Sequence, residues 1–163
     1  MPNAKGRAGR PATAGQMTSP DIVSLRATLR RAGLRGTLPR LSVLWALRRA
    51  DAPVSHGDVA AAVSDHALDR ATVYRNLLDL VRVGLARRTD LGDHVWRFEA
   101  VRQDGGRRHP GKREHPHFVC SQCGTVECLD DLSLHLGRSV RAPRALRTKA
   151  VEILVKGRCD RCD

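Results

Sequence analysis

Apolar residues recur at helical spacing over roughly the first half of the chain and at strand spacing after position 84. Ser19-Pro-Asp reads as a helix start with Pro20 or Asp21 near the cap, and Ile22, Leu25 and Leu29 then fall on one stripe until Gly33 ends it. Thr37-Leu-Pro-Arg opens a second helix with Pro39 in its first turn and Leu41, Leu44, Trp45 and Leu47 on its buried side, broken at Asp51-Ala-Pro. Ser55 caps a short third helix whose inward face is Val59, Ala62 and Val63. Asp69 caps a fourth, which runs to Val83 and stops at Gly84. Its apolar stripe is Val73, Leu77, Leu80 and Val81, whereas Thr72, Tyr74, Arg75 and Asn76 crowd the other side near the N-terminal end. That is the part of a recognition helix that meets base edges and phosphates. Residues 85–90 and 94–99 alternate in strand fashion around Leu91-Gly-Asp, so a two-stranded wing follows the helix. Helices ending in a β-hairpin describe a winged helix.

The remainder divides by composition. Residues 1–20 mix Gly, Ala, Pro, Arg and Lys with almost nothing to bury and read as a disordered basic tail, leaving 21–100 for the winged helix. A Gly- and Arg-rich stretch without periodicity makes 101–113 the linker. Residues 114–163 then hold a second, smaller domain, with strands at Phe118-Val119, Thr125 to Glu127 and Ala150 to Val155 and a helix between Asp131 and Val140. The fold class is α+β. A domain this small exposes strand edges, and pairing with a second copy covers them, so a homodimer is expected.

Charge narrows the partner. Lys and Arg number 29 against 17 Asp and Glu, a net +12, and the pI is near 10.9. Such a chain attracts a polyanion, of which double-stranded DNA is the first candidate. A membrane is excluded as a home because no stretch approaches the roughly 18 continuous apolar residues of a spanning helix. Met1 to Gly15 is basic and small with no apolar core, unlike a secretory signal, which places the protein in the cytoplasm.

The densest chemistry lies between His115 and Cys128, where two histidines and three of the five cysteines fall within fourteen residues. Cys120 and Cys123 form one Cys-x-x-Cys knuckle and Cys159 and Cys162 another, together the four thiolates of a closed tetrahedral zinc site. Two disulfides would use the same residues, but closing a two-residue gap is strained and the compartment is reducing. A redox pair needs only one such knuckle.

Taken together, Leu29 to Arg40 (LRRAGLRGTLPR), Ala71 to Leu77 (ATVYRNL), His115 to Gly124 (HPHFVCSQCG) and the terminal Cys159-Asp-Arg-Cys162 resemble the ferric uptake regulator family, from about residue 22 to 162. The resemblance implies a dimeric, metal-sensing transcription regulator with an N-terminal winged helix and a C-terminal α/β dimerisation domain, and no enzyme. It further implies that Arg35 enters an A·T-rich minor groove, that Arg40 grips phosphate and that Tyr74 and Arg75 face the major groove. Cys120, Cys123, Cys159 and Cys162 match the family's structural zinc site. The sensing positions hold Glu99, His115, His117 and Cys128, the last a thiolate where the family pattern has a carboxylate. His56 lies three residues after the position where some members place a further histidine, here Pro53, and is a weaker candidate ligand. A third site known in some members falls here on Glu114, Pro116, His135 and Val151, which implies its absence.

Two imidazoles, a carboxylate and a thiolate form a borderline-soft set that suits Zn²⁺ better than Fe²⁺ or Mn²⁺, so a zinc-uptake-type repressor is the leading subclass. An iron- or peroxide-responsive regulator is the alternative, since Cys128 can be oxidised. A zinc hydrolase or nucleobase deaminase would need an H-x-E or HExxH signature, and neither occurs. A zinc-stabilised RNA module would need exposed aromatics for base stacking, and aromatics make up only 3% of the chain.

Overall fold

The computed structural model describes residues 17–101, 116–129, 132, 135, 143–147 and 151–163. Residues 1–16 of the expected tail, 102–113 of the expected linker, His115 and nearly all of the helix expected between Asp131 and Val140 lie outside the described residues. Both expected boundaries of the first unit move outward: Thr18 already caps a helix that begins at Ser19, and the Val101 N–H donates to the Leu85 carbonyl at 2.9 Å.

Four helices build the first unit: α1 (Ser19–Arg31), α2 (Leu38–Arg49), α3 (His56–Ala62) and α4 (Arg70–Arg82). Each starts where a short oxygen-bearing side chain precedes it. Thr18 and Ser55 form reciprocal capping boxes with Asp21 and Asp58, and the Asp69 carboxylate accepts the Thr72 backbone N–H at 2.7 Å. Gly33 and Gly84 end α1 and α4 with φ of 77° and 72°, a left-handed geometry that only glycine adopts without strain. The core these helices enclose contains Leu25, Leu29, Leu41, Leu44, Leu47, Val59, Val73, Leu77 and Leu80, closed from the sheet side by Leu85 and Phe98.

Two strands of that sheet form the wing, β2 (Ala86–Asp90) and β3 (Trp96–Ala100), paired antiparallel with Arg87 opposite Glu99 and Thr89 opposite Arg97. The second wing strand therefore begins two residues later than the alternation suggests. His94 and Val95 are used up in the turn, where the Asp90 carboxylate accepts the N–H of Gly92 and of His94 and the Asp93 carboxylate accepts that of Val95. A two-residue strand, β1 (Val54–Ser55), pairs with β3 and makes the order β1-β3-β2.

The second sheet comprises β4 (His117–Cys120), β5 (Val126–Cys128) and β6 (Leu154–Gly157) in the order β5-β4-β6, with β4 antiparallel to β5 and parallel to β6. The last strand starts at Leu154, four residues after the expected Ala150, because only Leu154 to Gly157 lie in register with His117 to Cys120. A four-residue helix, α5 (Arg144–Arg147), precedes it.

The wing rests on the second sheet. Ala52, Leu91 and Val126 are buried together against Val119, Cys128 and Leu154. The Thr89 hydroxyl donates to Glu152 Oε1 at 2.6 Å, and Lys156 Nζ lies 2.9 Å from where a Cβ at Gly92 would stand. A side chain at that turn would have to displace the lysine.

Candidate functional site

Strand β4 carries candidate metal ligands at both ends. At its C-terminal end, parallel pairing sets Cys120 beside Gly157, so the knuckle leaving β4 and the knuckle leaving β6 emerge side by side. The Ser121 N–H and hydroxyl both donate to the Gly157 carbonyl, at 2.7 and 3.1 Å, which pins the two chain segments together. Cys120, Cys123, Cys159 and Cys162 consequently converge, with all four sulfurs within 4.8 Å of one another. The Cys123 and Cys159 sulfurs are 3.7 Å apart. Four sulfurs at about 2.3 Å from a central zinc would be separated by about 3.8 Å, so the cluster fits a tetrahedral ion without rearrangement.

Protonation is uneven within this cluster. Backbone N–H groups, that of Cys123 first, stabilise the Cys120 thiolate and draw its pKa down to about 6. The Cys123 thiol is lowered as well, by the Thr125 hydroxyl and N–H. Cys162 is pushed up to about 12 by its hydrogen bonds to the other sulfurs, those of Cys123 and Cys159 foremost. Four thiolates this close repel, so a central cation is the natural counter-charge. Arg161 donates to the Thr125 hydroxyl at 3.2 Å and ties the second knuckle to the first, a tether that nothing in the spacing foretells.

At the other end of β4, His117 faces Cys128 across the antiparallel pair, which puts both side chains on one face. Glu99 reaches the same point from the wing strand β3. Its Oε2 lies 3.6 Å from His117 Nε2, and Glu99, His117 and Cys128 offer donor atoms that all fall within 4.8 Å of one another. That separation is longer than a hydrogen bond and close to the ~3.4 Å expected between N and O ligands on one tetrahedral zinc. The His117 side chain is 7% exposed, so the donors converge in a largely dry place. The other carboxylate oxygen, Oε1, is 3.4 Å from the Arg87 guanidinium, a partner that the strand alternation did not single out from Arg88.

His56 lies elsewhere. It opens α3, its Nε2 donates to the Arg70 carbonyl at 2.9 Å, and its ring meets the edge of Tyr74 at 5.5 Å. Phe98 supports Tyr74 from beneath at 6.5 Å. The structure thus assigns His56 to the packing of α3 on α4 rather than to the Glu99 cluster.

Along α4, Thr72, Tyr74 and Arg75 are accessible at the N-terminal end, and Arg75 donates to the Thr72 hydroxyl at 3.1 Å. Asn76 departs from the expected exposed side. It is 8% exposed and its amide donates to the Thr72 carbonyl at 2.7 Å, because position 76 is three residues from Val73 and shares its inward face. Arg40 departs too. Its guanidinium pairs with Asp79 of α4 at 2.8 Å and its side chain is only 22% exposed, so it braces α2 against α4 instead of projecting toward phosphate. Arg35 stands exposed in the turn before α2.

Among the described residues no helix is long and apolar enough to cross a membrane. A family model described as "Ferric uptake regulator family" matches residues 31–153. The ferric uptake regulation protein of Escherichia coli K12 is 30% identical over 135 residues, covering 80% of this chain and 85% of that protein. Ferric uptake regulation protein 1 of Mycolicibacterium fortuitum is 34% identical over 111 residues, 68% of this chain, and the matched segment spans 63% of the mycobacterial protein. Among solved structures, the Vibrio cholerae ferric uptake regulator superposes with a TM-score of 0.58 at 25% identity, covering 82% of this chain and 98% of that one.

Proposed function

Since the chain belongs to the ferric uptake regulator family, whose members are metal-responsive transcription regulators and not enzymes, we propose that it is a zinc-responsive repressor that binds its operator as a homodimer in the cytoplasm. The observation that carries the reading is the meeting of Glu99 from the wing with His117 and Cys128 from the second sheet. One carboxylate, one imidazole and one thiolate form a set softer than Fe²⁺ or Mn²⁺ prefers, and His115, two residues before His117, is the candidate fourth donor. Cys120, Cys123, Cys159 and Cys162 would hold a second, structural zinc.

Zinc at the inner site would be held by Glu99, His117 and Cys128 and would supply a cation that draws their three donors together. The chain's own residues do the rest. By closing on one cation, Glu99, His117 and Cys128 fix the wing against the second sheet, where Thr89, Glu152, Leu91 and Val126 already dock it. Fixing the wing fixes α4, and in a dimer it fixes the spacing of two recognition helices, which must match successive major grooves for specific binding. The metal shifts that equilibrium only by its preference for the docked state. Thr72, Tyr74 and Arg75 read the major groove, and Arg35 reaches for the backbone or minor groove.

The test is restoration of DNA binding. Protein mildly chelated so that one metal equivalent remains should bind a duplex selected from a random library only weakly, and zinc should restore tight binding at lower free concentration than Mn²⁺ or Fe²⁺. If manganese or ferrous iron restores binding at the lower free concentration, the protein is a manganese or iron sensor. Binding indifferent to all three metals would overturn the reading altogether.

A further inference from the structure

The Glu99 carboxylate has two claimants. Oε2 faces His117 at 3.6 Å, whereas Oε1 is paired with Arg87 at 3.4 Å. The pairing is fixed by the wing's register, in which Arg87 and Glu99 are direct cross-strand partners and so share one face of the hairpin. The carboxylate is nearly enclosed, with 13% of its side chain exposed, so solvent screens the pair only partly. Arg87 itself is 26% exposed and has room to turn toward water.

Resting on the reading of Glu99, His117 and Cys128 as the sensing site, we propose that Arg87 is a specificity-determining residue which biases that site toward zinc and against harder divalent ions. A guanidinium on one carboxylate oxygen withdraws negative charge from the other and adds a positive charge near the cation. Both effects act on the oxygen donor and on charge, and neither touches the imidazole or the thiolate. A cation that binds mainly through oxygen and needs several oxygen ligands, such as Mn²⁺, loses most. Zinc, which draws most of its affinity from nitrogen and sulfur, loses less. Arg87 also opposes bidentate use of the carboxylate by the hard ions, because its guanidinium lies 3.4 Å from Oε1.

The experiment uses the full-length protein with its four-cysteine site zinc-filled and titrates the second site with Zn²⁺ and with Mn²⁺ against fluorescent chelators. Arg87→Met should tighten Mn²⁺ at least tenfold and zinc by clearly less, narrowing the ratio of the two dissociation constants at least threefold. Arg87→Lys, which keeps the charge, should retain the parent ratio. Should Arg87→Met fold poorly, Arg87→Gln provides the same comparison with a planar polar side chain. An unchanged ratio in the neutral variants, or equal weakening of both metals, overturns the proposal, since the second outcome would mean that Arg87 merely holds Glu99 in place. Glu99→Ala separates the two layers of argument. If it leaves the second metal equivalent bound as before, the site itself has been misread; if it abolishes that equivalent while Arg87→Met does nothing, only the role of Arg87 fails.

Discussion

Cys128 is the residue at which the donor set is softest, and it sits between two environments. Its sulfur converges with donor atoms of Glu99 and His117, where it would serve as a ligand of the proposed sensing site, and it packs on the apolar contact of Ala52, Leu91 and Val126. The two roles order its variants oppositely. As a ligand, Cys128→Ala should weaken zinc-dependent DNA binding at least tenfold with the structural zinc retained, and Cys128→Asp should recover a response while shifting it toward Mn²⁺ or Fe²⁺. As a packing residue alone, alanine would cost about 1 kcal/mol of stability and aspartate more, because a carboxylate would be buried there. Cobalt substitution distinguishes them directly: a sulfur-to-metal charge-transfer band assigned to the inner site should vanish in Cys128→Ala. At this scale, residues that belong to motifs were legible in the sequence and residues defined by a partner were not. The Cys-x-x-Cys spacing already implied convergence, whereas Arg87 became distinct from Arg88 only once the register set it opposite Glu99. Asn76 carried a signal that the helical pattern offers, its three-residue offset from Val73, but polarity outweighed it.

Among the elements, α4 is held more tightly than its stripe alone would hold it. The Asp69 cap at its start keeps its carboxyl below the ordinary range, chiefly through the Thr72 hydroxyl and N–H. A lowered carboxylate contributes stability above the ordinary pKa and loses it as pH falls through the lowered value, so the cap is fully charged at neutral pH. At the other end Asp79 binds both Arg40 and Arg82, and the Arg40 pair joins α2 to α4. A double-mutant cycle on Arg40 and Asp79 should show a coupling of about 1 kcal/mol in unfolding free energy. Arg40→Ala should then reduce DNA affinity no more than Asp79→Ala does. A large affinity loss confined to Arg40→Ala, with no stability change, would return that arginine to the phosphate backbone. The four helices were legible because each begins just after a Thr, Ser or Asp that precedes an apolar stripe, and α1 and α4 also end at a glycine. The strands were harder for a physical reason: β1 has two residues and exists only through β3, and the start of β6 is decided by where β4 ends, not by its own alternation.

For the whole molecule, one short strand, β4, would link folding to sensing, with a closed four-sulfur cluster at one end and the Glu99 cluster at the other. The two should release metal in separate steps. Without metal, the lowered Cys120 contributes stability that is complete above a thiol's unfolded value near 9 and is lost as pH falls through about 6, while the raised Cys162 favours its neutral form and destabilises the fold as pH rises from about 9 toward about 12. Zinc needs all four as thiolates, so loading at neutral pH expels protons and grows stronger with rising pH, and acid below about pH 6 opposes it further by protonating Cys120. The inner site has fewer thiolates and bridges the wing and the second sheet. Graded chelation, followed with a zinc indicator, should therefore release a first equivalent with loss of operator binding and little change in circular dichroism. A second equivalent should leave only with cooperative unfolding of the β5-β4-β6 sheet. Glu99→Ala should delete the first step and leave the second in place, and Cys162→Ser should do the reverse only at the expense of the fold. If both equivalents instead leave in one step that coincides with unfolding, sensing and structure are not separable here, and the ion at Glu99 would have to be counted among the supports of the fold.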